Sequence, residues 1–208
     1  TLREASRLQS DSYESIQFQN RYRCKDGSYR WLEWQARPKP GSQNILATAR
    51  DITDRKVSVQ HFQAIFDQAP VGIAVLDSKT GSFLKLNPAY ARILARTPQE
   101  AMQLDFQTVT HPDDLQQDLD NMALLLEGKI GQFRMEKRYL RPDKSTVWVD
   151  LTVVPLCAEG ETPQTHLAIV EDISEKKRAE EQLQTRDAQL SGLLEHSTNV
   201  VYLKDEQG

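Results

Sequence analysis

Cysteine is nearly missing from this chain. Cys24 and Cys157 are the two in 208 residues, too few for a disulfide framework or a metal quartet. An excess of basic charge is missing too: 26 Lys and Arg against 30 Asp and Glu leave a formal net charge of −4. That balance gives no electrostatic footprint for nucleic acid. Long apolar runs are absent. The longest, Val71–Leu76, is strand-sized, well short of the roughly 20 residues a membrane helix needs, so no membrane insertion of this segment is expected. The first residues carry no apolar signal-peptide core. The nine glycines are isolated and form no phosphate-cradling loop. Four histidines, His61, His111, His166 and His196, are scattered without metal-ligand spacing. No catalytic residue and no metal ligand can be nominated. With a pI near 5.6 and a mean hydropathy of −0.60, the chain reads as cytoplasmic, any membrane anchor of a larger parent lying elsewhere.

What is present is a long internal repeat. Arg21-Tyr22, Asp26, Ser28, Trp31 and Glu33 match Arg138-Tyr139, Asp143, Ser145, Trp148 and Asp150 at an offset of 117 (138 − 21). Asp51-Ile52-Thr53 matches Asp172-Ile173-Ser174 at 121 (172 − 51), which places four extra residues in a loop around 159–163. Phe62–Asp77 then matches Leu190–Asp205 at 128 (190 − 62). A period above about 100 residues means tandem domains, since solenoid repeats run at roughly 20–50. The last increase, seven residues, equals two turns of a coiled coil and preserves the inward-facing side of a helix. The first residue is not Met and the last apolar stretch, Val200–Leu203, stops just before the end, so the chain is expected to be cut from something longer.

Within the complete repeat, 71–77 and 82–86 read as two strands around a Ser78-Lys79-Thr80-Gly81 turn. Asn87-Pro88 opens a helix with Asn as cap, Thr97-Pro98-Gln99-Glu100 is a capping box, and His111-Pro112-Asp113-Asp114 starts a longer helix. Leu115, Leu119, Met122 and Leu126 are expected to form its buried stripe. Phe133–Arg141 alternates. Val147, Val149, Leu151 and Val153 point one way while Trp148, Asp150 and Thr152 point the other. A last strand over 166–171 precedes Asp172-Ile173-Ser174 and a helix-forming run from Glu175. This order predicts an α+β fold, an antiparallel five-stranded sheet with short helices on one face.

These motifs resemble the PAS domain: Asn87-Pro88-Ala89-Tyr90 after the second strand, His111-Pro112-Asp113-Asp114 at the long helix, Asp143-Lys144-Ser145 before Trp148, and the Asp172-Ile173-Ser174 exit. Lys144 stands where the family usually has Gly, which Gly27 supplies in the earlier repeat. The resemblance implies five segments: the C-terminal part of a first PAS domain (1–56), a helical linker (57–70), a complete second PAS domain (71–177, with an N-terminal helix from about 61), a second helical linker (178–190) and the start of a third PAS domain (191–208). It implies a signal-sensing and relay segment of a bacterial sensor protein, foremost a sensor histidine kinase of a two-component system, with a diguanylate cyclase or phosphodiesterase as the other parent. A non-sensing dimerisation or spacer module is the competing reading.

Tyr90, Phe106, His111, Met122, Leu126 and Trp148 are the candidate pocket residues. The preferred reading is that they are ordinary core side chains, with Trp148, opposite the valine stripe, as a contact for a helix or a second chain. No cofactor is favoured. The resemblance leaves haem, non-covalent flavin or another small molecule open, although His111 sits at the helix mouth and neither Cys24 nor Cys157 falls on the central helices, as a photoreactive flavin domain requires. His196 lacks the sequence that follows a histidine-kinase phosphoacceptor. Asp51, Ile52, Thr53, Asp172, Ile173 and Ser174 are the candidate transmission residues: the hydroxyls would cap the exit helices and the isoleucines anchor them. The linkers suggest a parallel homodimer. Ile52, Val59, Phe62, Phe66 and Ala69 form one seam, and Ala179, Leu183, Leu190 and Leu193 another, with Arg186 at one seam position.

Overall fold

The computed structural model describes residues 15–39, 44–157 and 163–195, with the backbone alone given for 190–195. The expected four-residue loop insertion around 159–163 lies almost wholly outside the described residues, as does most of the expected third domain, including His196. The chain divides into two compact units, 1–65 and 66–208.

The first unit contains strands β1 (Ile16–Arg23), β2 (Tyr29–Pro38) and β3 (Ile45–Asp51), antiparallel in the order β1-β2-β3. Helix α1 (Thr53–Gln68) leaves β3 after a single residue and runs into the second unit. The β1–β2 turn is organised by Asp26, whose Oδ1 accepts the Ser28 N–H at 2.9 Å and the Ser28 hydroxyl at 2.7 Å. Gly27 takes φ +85 between them.

The second unit holds β4 (Gly72–Asp77), β5 (Phe83–Leu86), α2 (Pro88–Ile93), α3 (Pro98–Ala101), α4 (Phe106–Val109), α5 (Pro112–Leu126), β6 (Phe133–Leu140), β7 (Thr146–Pro155), β8 (Thr165–Asp172) and α6 (Ser174–Glu195). Its antiparallel five-stranded sheet runs β5-β4-β8-β7-β6. β4, β6 and β7 alternate buried and less buried residues, the period-2 pattern of a sheet packed on one face. Val147, Val149, Leu151 and Val153 join the core with Leu76, Phe83, Leu94 and Met122.

Asn87 secures the start of the helical layer. It is fully buried. Its Oδ1 accepts the N–H groups of Tyr90 and Ile73, and its Nδ2 donates to the carbonyls of Phe66 and Val71, all at 2.9 Å. One side chain thus caps α2 and ties it to β4 and to the end of α1, leaving no buried polar atom of its own unpaired. The Thr97–Glu100 capping box forms in both directions. Gly81, at φ +74, leaves room for the Phe106 ring, which would lie 2.6 Å from a Cβ at that position.

Two expectations are corrected. The buried stripe of α5 is centred on Asp118, Met122 and Leu125, while Leu115, Leu119 and Leu126 are only partly buried at its margin. The stripe turns because Asp118 is drawn inward to a buried cation. Thr53 and Ser174, expected as caps, are instead the first residues of α1 and α6, and their hydroxyls bond the sheet.

Candidate functional site

Strand β6 places Phe133, Met135, Lys137 and Tyr139 on its buried face, so a lysine occupies an apolar phase of the strand. Lys137 Nζ meets Asp118 Oδ2 of α5 in a short contact and donates to Thr110 Oγ1 at 2.9 Å. Thr110 in turn donates to the Phe106 carbonyl at 2.6 Å. The ammonium also lies 4.8 Å from the Tyr139 ring centroid and 5.7 Å from that of Phe106. All three polar side chains are at most 2% exposed. Burial pushes the Lys137 ammonium down, and the Asp118 carboxylate opposes that shift. Paired charges with further hydrogen bonds are the form in which a core tolerates ions at all.

Beside this pair the hydroxyls of Tyr90 and Tyr139 share a hydrogen bond of 2.8 Å. Desolvation raises both phenols, so both stay protonated. Across the floor, His166 Nδ1 of β8 and Ser78 Oγ of the β4–β5 turn are 3.3 Å apart. Burial pushes His166 down to about 4, with Asp77 opposing, so the ring is neutral at pH 7.

These groups surround a cavity of about 10 Å³, measured at the centre of a water-sized sphere, room for a single water. Tyr90, Phe106 and Met122 line it, as the sequence suggested, together with Asp118, Lys137, Tyr139 and His166, which were not anticipated. The signal for Lys137 and Asp118 was legible: each interrupts an apolar periodicity, at period 2 in β6 and at helical period in α5. Leu126 packs at the margin of the core and does not line the cavity. His111 caps α5, its Nδ1 accepting the Asp113 N–H at 3.3 Å, and does not line the cavity either. Trp148 is on the opposite face of the sheet, with Arg138 Cζ and Lys177 Nζ over its ring at 5.4 and 5.3 Å. Neither His111 nor a cysteine lines this cavity, so it offers no haem ligand from His111 and no thiol for a photoreactive flavin. Among the described residues, no group of three or more His, Cys, Asp or Glu side chains could hold a metal ion, and no helix is long and apolar enough to cross a membrane.

The exit junctions share three hydrogen bonds. In the first unit, Trp31 O accepts the Ile52 N–H at 2.9 Å, and the Trp31 N–H donates to Thr53 Oγ1 at 2.9 Å. In the second, Trp148 O accepts the Ile173 N–H at 2.9 Å, and the Trp148 N–H donates to Ser174 Oγ at 3.1 Å. Asp51 and Asp172 each accept the N–H of the hydroxyl residue two places on, at 2.9 Å. Hydrogen bonds from the Thr53 hydroxyl and N–H, then Arg30, hold the Asp51 carboxyl down at about 2. Ile52 and Ile173 are both 7% exposed. The strand-to-helix connection is therefore a stitched joint, with the tryptophan carbonyl committed to the residue before the helix and its N–H to the helix's first residue.

The comparisons with known proteins agree with this architecture. The PAS fold family matches residues 66–178. The chain is 34% identical over 124 residues to the probable diguanylate cyclase DgcE of Escherichia coli K12, covering 60% of this chain and 11% of that protein. It is 30% identical over 149 residues to the sensor histidine kinase TmoS of Ectopseudomonas mendocina, covering 72% of this chain and 14% of that protein. The chain thus spans only a small part of the length of these curated relatives. Among solved structures, the PAS domain of a Colwellia psychrerythraea protein superposes with a TM-score of 0.51 at 22% identity, covering 57% of this chain and 98% of that one. A sensory box histidine kinase/response regulator from Burkholderia thailandensis gives 0.51 at 22% identity, over 64% of this chain and 99% of that one. With the five-stranded antiparallel sheet, its layer of short helices and a family match over more than half its residues, the chain belongs to the PAS fold family of sensory modules.

Proposed function

We propose that the chain is a signal-sensing and relay segment of a larger sensor protein, in which the second unit passes its state through α6 to an output domain. The observation that carries this reading is the stitched exit joint. A helix that began in free loop would not feel the sheet. Here the Trp148 N–H and carbonyl hold Ser174 and Ile173, so a displacement of β7 moves the first turn of α6. The relay acts within a parallel homodimer paired through α1 and α6. Val59, Phe62 and Leu183, expected seam positions, are 60%, 61% and 62% exposed in the single chain, which suits a partner helix. Ile52 and Phe66 leave that seam: each is buried in its own unit, Phe66 beneath Lys85. The named activities of the two curated relatives support both a sensor histidine kinase and a diguanylate cyclase as parent, of which we take the sensor histidine kinase first. The first unit, whose sheet order and exit joint match β6–β8 and α6, is the C-terminal part of a preceding PAS domain.

A second reading has its own observation. The cavity has room for one water and is lined by a buried ion pair, which favours a spacer or dimerisation module without a ligand. A native mass spectrum separates the two: mass beyond the polypeptide supports a ligand-carrying sensor, and a dimer of bare chains supports the spacer. The relay itself is tested by amide exchange. Ser174→Ala is expected to speed exchange of the α6 amides over 176–182 by about fivefold, the loss of one backbone-to-side-chain bond worth about 1 kcal/mol, with β4 and α2 unchanged. Unchanged exchange in α6 would defeat the relay reading.

A further inference from the structure

The exit joint engages the Trp148 backbone, while the outer face of the sheet carries a second connection to α6 that runs through the Trp148 ring and charged side chains. It starts at the N-terminus of α5, where Asp114 holds Arg138 of β6. Asp114 Oδ2 accepts the Arg138 backbone N–H at 2.8 Å and Nε at 2.9 Å, and Oδ1 accepts Nη2 at 2.8 Å. The Arg138 guanidinium, fixed in that fork, stands 5.4 Å from the Trp148 ring centroid. Lys177, in the first turn of α6, stands 5.3 Å from the same centroid. Its ammonium is held in turn by Glu136 Oε2 at 2.5 Å. Trp148 is therefore shared between two cations, each anchored by a carboxylate. One cation belongs to the strand that α5 grips, the other to the helix that leaves.

The arrangement is chemically selective. An indole face attracts a cation more strongly than any aliphatic side chain of its size, and partly desolvated contacts of this kind are worth roughly 0.5–2 kcal/mol. An arginine fork on a carboxylate fixes a plane where a lysine would fix only a point. Half of the device recurs in the first unit, where Lys56 of α1 lies 5.3 Å from the Trp31 ring centroid. Trp31 and Lys56 are the repeat counterparts of Trp148 and Lys177. The arginine step does not recur: Arg21, the counterpart of Arg138, lies over Tyr29 instead. The tryptophan–lysine clamp thus belongs to the exit joint in both units, and the second unit adds the Asp114–Arg138 link to α5, the helix whose Asp118 and Met122 face the cavity.

We propose that Arg138, Trp148 and Lys177 are positioning residues that couple the N-terminus of α5 to the first turn of α6, a lateral route from the helical layer to the exit helix. The proposal rests on the relay reading above and specifies where the helical layer enters it.

The test is a double-mutant cycle read by amide exchange in the 208-residue chain. Trp148→Leu and Lys177→Met are each expected to speed exchange over 178–183 by about three- to fivefold, the size of a partly exposed cation–π contact, whereas W148F and K177R stay within about twofold of wild type. Asp114→Asn, made on the far element, is expected to speed the same α6 amides in the wild-type background and to add nothing in W148L. Thr97→Ala, which removes the cap of α3, lowers global stability without touching the route and leaves α6 exchange relative to the core unchanged. The coupling is refuted if D114N acts equally in both backgrounds, if W148L and K177M leave α6 as in wild type, or if T97A speeds α6 as much as they do. If W148L loses its cooperative melting transition, Arg138→Lys replaces it in the cycle, keeping the charge but not the stacked plane. Failure of this cycle while S174A still loosens α6 removes the lateral route alone; failure of both removes the relay.

Discussion

His166 sets a pH dependence that its position in β8 makes calculable. Its ring is buried and faces Ser78, and its pKa falls from 6.5 to about 4 on folding. The unfolded chain therefore takes up the proton first as pH drops, and between 6.5 and about 4 it binds more protons than the folded one. The stability contributed by neutral His166 is complete above 6.5 and is lost progressively toward pH 4, by at most about 3 kcal/mol. Urea melts at pH 7 and pH 5 are expected to show that loss, and His166→Gln to flatten it. An equal pH 5 to pH 7 difference in H166Q would assign the effect to other groups. This histidine was visible in the sequence only as one of four without metal spacing. Tyr90, Phe106 and Met122 were found because large apolar side chains after a strand and on a periodic helix face the core as a rule. Lys137 and Asp118 were missed although each interrupts an apolar periodicity: a charge in a periodic run marks an oddity but names no partner, and pairing between distant residues is not written in local periodicity.

At the scale of elements, local chemistry was far more informative. Caps, the exit motif and strand alternation are short-range, and the sheet, the Asn87 cap and the Thr97–Glu100 box followed from them. The hydroxyls of Thr53 and Ser174 misled because a serine or threonine before a helix caps it in most settings. Here the competing acceptor role toward the Trp31 or Trp148 N–H wins, since those amides at the end of the ladder would otherwise lack a partner. The repeated turn supplies a sharper case. Lys144 occupies the place of Gly27 and adopts the same left-handed backbone, φ +66 against +85, in the same Asp-centred turn. Asp143 Oδ1 accepts the Ser145 N–H at 2.9 Å, so the bonds of the turn outweigh the strain of a side chain there. That strain is about 1–2 kcal/mol for a residue with a Cβ, and part of any gain from glycine is returned as entropy in the unfolded chain. Lys144→Gly is thus expected to stabilise the second unit by roughly 0.5–1 kcal/mol, and Gly27→Lys to destabilise the first by a similar amount. Thermal melts of both variants check this, and a lower melting temperature for K144G would show that the lysine side chain contributes more than its backbone costs.

For the whole molecule, the spacing between units is the informative quantity. α6 runs unbroken from Ser174 to Glu195, and under the relay proposal it acts as a rod whose phase is set by residue count. Each added residue turns the far end by about 100°. Seven residues return it to within about 20° of its starting face, which a coiled-coil pair absorbs by supercoiling, whereas three or four leave it on a different register of the pair. The repeat itself carries a seven-residue increase across this helix relative to α1, from an offset of 121 to one of 128. In the parent protein, inserting seven residues within 178–188 is therefore expected to preserve regulated output, while inserting three or four abolishes or inverts it. The measurement is the ratio of stimulated to basal output for the three variants. If all three behave alike, α6 acts as a tether rather than a rod, and the stitched joint at Trp148 orders the helix without directing anything beyond it.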